Sequence, residues 1–297
     1  MKLNQFHLFD ALFEGVYVLD KQSRIVFWNK GAERITGFSS DETTGRYCYD
    51  NLLNHIDVQG RQLYLGAFSY EKTLSEGVMQ EWDAYIQHRS GYRIPVKIRI
   101  MPWIVDEEIV GIIEMFMENS ESSHAVKRIG SISNKLLRDK LTGLPNRSRF
   151  EHFVSEKIRD YDKLSIPFGV AIVDIDNFEG VNDIYGRTLG DEMLKLLAET
   201  FKHSIKLADM IGRWQNDEFV FIFTDVNTDS LYLLCEKIRV LSEGSVLRTS
   251  IIRDVDFSVS VGGAIYRVED TVDTLIERAG YRLKKAKTRG GNNCVTK

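Results

Sequence analysis

The chain has 297 residues, enough for two domains of ordinary size, and its 43% hydrophobic and 28% charged residues exclude a largely disordered polymer. A formal net charge of −4 argues against general binding to nucleic acid or to anionic membranes, so neither is expected as a partner. The start, Met1 to His7, lacks the apolar run of a signal peptide, and no window has the length and apolarity of a membrane-spanning helix, so a cytoplasmic location is expected.

Val16 to Leu19 and Ile25 to Trp28 are β-rich runs joined by the polar turn Asp20-Lys21-Gln22-Ser23. Mixed helix and loop follow Asn29-Lys30-Gly31. Three further strands are predicted at Gln80 to His88, Arg93 to Met101 and Ile109 to Met117, the first two joined through Ser90-Gly91. Between Glu118 and Arg138 the composition turns polar. There Ala125, Ile129, Ile132 and Leu136 form a narrow apolar stripe, which suits either a short coiled coil or an amphipathic helix lying on one domain.

The second half opens with Leu141 to Arg147, a turn running into a helix, with Pro145 suited to the first turn. Phe168 to Val173 is an apolar run of the kind buried on both faces, and it delivers Asp174 and Asp176 at its end. A helix is predicted over Asp191 to Leu207, a hairpin over Arg213 to Phe223, a strand over Phe257 to Ile265 and a helix over Thr271 to Thr288. Leu275, Ile276, Ala279, Leu283 and Ala286 line the inner face of that last helix. Alternating β and α elements imply an α+β or α/β sandwich.

Asp174 at a strand end, with Asp217 and Glu218 after a tight turn, gathers acids against an apolar sheet. That arrangement is costly unless a cation neutralises them, and hard oxygen ligands suit Mg²⁺. The alternative is a set of solvated loop acids. Cys48, Cys235 and Cys294 are odd in number and far apart, so no disulfide framework or zinc spacing follows. His55 reads as a hydrogen-bonded or surface histidine before a haem or metal ligand. Trp28, Trp82 and Trp103 read as core or sheet-face residues, and Gly262-Gly263 as a bulge or close-packing site.

The segment Gly15 to Asp20 followed by Ile25 to Phe38 resembles the opening of a PAS domain, over roughly residues 1–119. Asp174-Ile175-Asp176-Asn177-Phe178, Val181-Asn182-Asp183, Gly186, Gly190-Asp191, Gln215-Asn216-Asp217-Glu218-Phe219 and Lys285-Ala286-Lys287 resemble the GGDEF (diguanylate cyclase) family over about residues 139–297. The resemblance implies an α+β chain. Its parts are a PAS domain with an antiparallel sheet and short helices, a helical linker over 120–138, and a palm-like GGDEF α/β sandwich.

In that family two GTP molecules condense to cyclic di-GMP in a Mg²⁺-dependent dimer. By resemblance, Asp174, the carbonyl of Ile175 and Asp217 hold Mg²⁺, while Asp217 and Glu218 are the catalytic acids. Asn182 and Asp191 read guanine, Gln215 and Asn216 form the turn beside the phosphates, and Lys287 meets the phosphates. Homodimerisation through the PAS domain and linker is implied, as is a small-molecule PAS signal of unknown identity. No cyclic di-GMP hydrolase domain is expected within this length.

Three departures from the family pattern predict that nucleotide recognition survives better than turnover. Gln215-Asn216 replaces two glycines, Glu179 replaces a phosphate-facing lysine, and Gly291 replaces an arginine, with Arg289 nearby. Lys206-Leu207-Ala208-Asp209 stands where the family has an Arg-x-x-Asp feedback motif. Lysine lacks arginine's bidentate fork, so weak product feedback is implied.

Overall fold

The computed structural model describes residues 3–50, 52–63, 70–119, 137–247 and 255–297. The stripe predicted at 125–136 lies outside the described residues. The chain folds as two compact units, Met1–Ser120 and Glu121–Lys297. Among the described residues no helix is long and apolar enough to cross a membrane.

The N-terminal unit is a five-stranded antiparallel sheet in the order β2-β1-β5-β4-β3. Its strands are β1 (Gly15–Asp20), β2 (Ile25–Trp28), β3 (Gln80–Gln87), β4 (Arg93–Val105) and β5 (Glu108–Glu118), with the short helices α1 (Lys30–Thr36), α2 (Ser40–Thr43) and α3 (Tyr70–Glu76). The Asp20 carboxylate accepts from the backbone N–H groups of Gln22 and Arg24, which fixes the β1–β2 turn. Wholly buried Asn29 caps α1 through Ala32 N, accepts from Val16 N, and donates to the carbonyls of Phe9 and Glu14. β4 runs past the predicted end at Met101 and through Pro102. The β3 partner ends at Ile100, so the missing N–H of Pro102 breaks no bond to that strand.

Trp28 stacks on Tyr17, with ring centroids 5.3 Å apart, and donates to the carbonyl of Phe38. Trp82 is half-buried against the same core, and Trp103 meets Phe6 edge-on. A polar cluster interrupts this core. His55 Nε2 lies 3.1 Å from Glu114 Oε1, the Tyr70 hydroxyl donates to Glu114 Oε2 at 2.9 Å, and the hydroxyls of Tyr17 and Tyr70 are 3.0 Å apart. Glu114 is wholly buried on β5, and these bonds offset the cost of burying it. His55 is thus a buried, hydrogen-bonded residue. Burial, then the charge of Glu114, pushes the Cys48 thiol up to about 12, which leaves it unreactive.

The C-terminal unit is a second five-stranded sheet, in the order β10-β9-β6-β8-β7. It comprises β6 (Phe168–Ile175), β7 (Met210–Gln215), β8 (Glu218–Thr224), β9 (Val259–Ile265) and β10 (Cys294–Val295), with α4 (Arg147–Leu164), α5 (Phe178–Tyr185), α6 (Arg187–Ser204), α7 (Thr228–Glu243) and α8 (Val272–Thr288). β6 is central and buried along its whole length, antiparallel to both β8 and β9.

One face carries Phe150 and Val154 of α4 and Leu275, Ala279 and Leu283 of α8 against Val170, Ile172, Val220 and Ile222. On the other face Phe201 of α6 packs edge-on against Phe219 and Phe221. Each such side chain contributes roughly 1.5–3 kcal/mol on burial. Gly262 makes no bulge. A Cβ there would lie 2.2 Å from Leu283 N and 2.3 Å from the Ala279 carbonyl oxygen, so α8 lies directly on the β9 backbone.

Several boundaries differ from the predicted ones, chiefly at element starts. Gly186, at φ 85°, ends α5, and α6 begins at once with Arg187. Asp191 therefore lies inside a helix, not at its start. β7 begins at Met210, before the predicted Arg213, and β9 begins at Val259. Helix α7, capped by Asn227, and the edge strand β10 are additional elements.

Candidate active site

A cleft of about 760 Å³ opens at the C-terminal end of β6, between α5, α6 and the β7–β8 turn. Asp174 pairs across the sheet with Glu218 of β8 and Ser260 of β9, so the register alone brings the first two acids side by side. The Asp174 side chain is 11% exposed, and its Oδ1 accepts a hydrogen bond from the Lys287 ammonium in the last turn of α8. Burial pushes the Asp174 carboxyl up to about 6; the charges of Asp217 and Glu218 add to this and Lys287 opposes it. Burial also raises Glu218, helped by Asp217 and opposed by a hydrogen bond from Gln215.

The altered turn forms without glycine. Asn216 takes the left-handed conformation at φ 40°, which asparagine tolerates, while Gln215 stays in β7. Arg213 tethers this turn. Its Nε and Nη2 donate to the Asn216 carbonyl at 3.0 and 2.5 Å, and its Nη1 meets Asp139 Oδ1 at 3.0 Å. Asp139 also accepts from the backbone N–H and hydroxyl of Thr142, so the entry turn and the signature turn are one hydrogen-bonded assembly.

Asp174, Ile175, Asn182, Asp191, Asn216, Asp217 and Lys287, all singled out in the sequence, line the cleft. Gln215 turns instead to Glu218. Asp176, also at the end of β6, is separated from the acids. It accepts from Ser258 Oγ, Ser260 Oγ and Asn292 N at 2.6–2.7 Å and serves to fasten the chain after α8. Gly291 sits at φ 75° against this Asp176 carboxylate, and Arg289 lines a separate groove beside α7 and β10. Arg289 therefore does not replace the missing arginine in the cleft. Glu179 does face the cleft, together with Asp183.

The donors suit a hard cation. Asp174 and Asp217 offer carboxylates, Ile175 a carbonyl, and the Lys287 ammonium already neutralises Asp174 as a cation would. Among the described residues no three His, Cys, Asp or Glu side chains gather into a metal site, so further ligands must come from phosphate or water. In the feedback segment, Asp209 is committed to the backbone N–H groups of Lys206 and Thr224, each at 3.1 Å.

Two cleft residues escaped the sequence reading. Arg213 is bound to Asp139, 74 positions away, a pairing that no local pattern announces. Arg187 lines the cleft from the first position of α6, and its place directly after Gly186 is the signal that marks it.

The profile described as "Diguanylate cyclase, GGDEF domain" matches residues 136–293, and a PAS domain profile matches residues 14–121. The diguanylate cyclase DgcM of Escherichia coli is 33% identical over 157 residues, 53% of this chain and 37% of DgcM. DosC of the same organism is 30% identical over 154 residues, 52% of this chain and 34% of DosC. The matched segment thus spans about a third of these curated relatives. The GGDEF domain of DgcB from Caulobacter crescentus, solved in complex with c-di-GMP, is 26% identical with a TM-score of 0.53, covering 56% of this chain and 98% of that one. SiaD from Pseudomonas aeruginosa, solved with its activator SiaC, is 27% identical with a TM-score of 0.52, covering 54% and 62%. With the signature hairpin, the acids at the end of β6 and the profile match over more than half its length, the chain belongs to the GGDEF diguanylate cyclase family and carries a PAS domain ahead of that domain.

Proposed function

We propose that this chain is a PAS-regulated cyclic di-GMP signalling protein that binds GTP with Mg²⁺ and condenses two GTP molecules slowly in a homodimer. The observation that carries this reading is that Asp174, Asp217 and Lys287 line one polar cleft, with Glu218 beside Asp174 across the β6–β8 register. Each ribose 3′-oxygen attacks the α-phosphate of the GTP held by the other subunit, one P–O bond forms per attack, and pyrophosphate leaves. Asp217 accepts the 3′-hydroxyl proton, and Glu218 supports it or ligates the metal. Lys287, bonded to Asp174 in the free cleft, would turn to the phosphates when GTP binds. Asp174, Asp217 and the Ile175 carbonyl would hold Mg²⁺, which would supply charge to polarise the phosphate. Asn182 and Asp191 accept from the guanine N–H edge.

Slow turnover follows from the phosphate side. Glu179 faces the cleft where the pattern calls for a lysine, and Gly291 offers no side chain. A second reading, a GTP-binding module without turnover, is favoured by the same Glu179. Incubation with GTP and Mg²⁺ separates the two: cyclic di-GMP formed by the wild type and lost in Asp217→Ala supports the enzyme. Bound GTP with no product supports the module.

A further inference from the structure

Three cations line the cleft among the described residues, and two are committed. Lys287 is bonded to Asp174, and Arg213 to Asp139 and the Asn216 carbonyl. Arg187, an exposed side chain, has no hydrogen bond or ion pair among the described residues. It lies four positions before Asp191 on α6, so the two side chains share one helix face, about 6 Å apart along the axis. Both line the same cleft.

Beside them, Asn182 Oδ1 is buried with no hydrogen-bond partner. A Cβ on residue 190 would lie 2.1 Å from that oxygen, so Gly190 leaves room for it against α6. A buried acceptor without a partner costs about 1–3 kcal/mol, and Asn182 is itself one of the residues that line the cleft.

The set is therefore two acceptors, Asn182 Oδ1 and the Asp191 carboxylate, and one two-pronged donor, Arg187, all on residues that line one cleft. Guanine presents the complement: N1–H and N2–H₂ donate, while O6 and N7 accept side by side. Arginine's planar fork matches O6 and N7 in bidentate fashion. Adenine offers an N6–H₂ donor in place of O6 and an N1 acceptor in place of N1–H, so it mismatches both Arg187 and Asp191. We propose that Arg187 is a specificity residue that reads the O6/N7 edge of guanine while Asp191 and Asn182 read the N1/N2 edge.

This inference rests on the GTP reading above. It is tested by calorimetry on the full chain with Mg²⁺ and 2′,3′-dideoxy-GTP, its 7-deaza analogue and 2′,3′-dideoxy-ATP. None of these has the reacting 3′-oxygen, and the 7-deaza base lacks the N7 acceptor. The wild type is expected to bind dideoxy-GTP roughly ten-fold more tightly than the 7-deaza analogue, in line with the loss of half a bidentate contact. Arg187→Ala is expected to bind both equally and to discriminate less against dideoxy-ATP. Arg187→Lys, which keeps the charge and loses the fork, should resemble Arg187→Ala. If lysine restores wild-type affinity, or if the wild type ignores the 7-deaza change, Arg187 acts as a general charge and the inference is overturned while the GTP reading stands. If the wild type binds no dideoxy-GTP, the GTP reading fails and the inference with it.

Discussion

Glu179 is the residue whose chemistry most opposes the function proposed for the cleft it lines. Unit charges several Å apart interact by roughly 1 kcal/mol or more even when screened, so replacing attraction by repulsion weakens the hold on a triphosphate. Glu179→Lys is expected to tighten Mg²⁺–GTP binding about ten-fold and to raise turnover, read from calorimetry and product formation; an unchanged affinity would show that Glu179 does not sense the phosphates. Asp174 carries a second expectation. Its carboxyl is raised from 3.8 to about 6 in the fold, so the folded state binds the proton more tightly than the unfolded chain. Stability from this group therefore falls as pH rises from about 4 to about 6, and denaturant titration should show that slope flattened in Asp174→Asn. Mg²⁺-dependent GTP affinity should run the other way, weakening as pH drops below about 6, because the ligand must be the carboxylate. At this scale the sequence was informative about which residues come together: Asp174, Asn182, Asp191, Asp217 and Lys287 all line one cleft, while Glu218 does not. It was silent on Arg213, whose partner Asp139 is distant in the chain, and on the Asp174–Lys287 contact, which needs β6 and α8 to be packed first.

Elements place these residues through contacts that admit little change. α8 lies on β9 at Gly262, and Leu283, whose backbone touches that glycine, is one turn before Lys287. Gly262→Ala is expected to destabilise the protein by roughly 1–3 kcal/mol through overpacking against backbone and to shift Lys287 away from Asp174. A lowered melting temperature with reduced GTP affinity would bear this out; an unchanged one would mean that α8 adjusts freely. Strands and amphipathic helices were readable because their periods show in the sequence, and β6 in particular was marked by its unbroken apolar run. Boundaries were less so. The start of α6 depends on the backbone at Gly186, where φ is 85°, and α7 is set by an Asn227 cap and its packing beneath β9. β10 has two residues and exists only because β9 offers an edge.

The chain joins a PAS domain to a GGDEF domain whose proposed chemistry needs two copies face to face. The mass measured by light scattering in solution is therefore expected to be twice 34.2 kDa under turnover conditions, and specific activity to rise with protein concentration; a monomer with concentration-independent activity would contradict a shared reaction. Two domains and their order were legible because each carries its own motif set. Any signal proposed to reach the first unit was not, since its interior holds a polar cluster hydrogen-bonded around Glu114 and no motif names a ligand. The most direct test of the central claim is incubation of the purified chain with GTP and Mg²⁺, followed by chromatography with mass detection. The account predicts slow formation of cyclic di-GMP that disappears in Asp217→Ala; GTP recovered unchanged from both proteins, at concentrations where the dimer is populated, would contradict it.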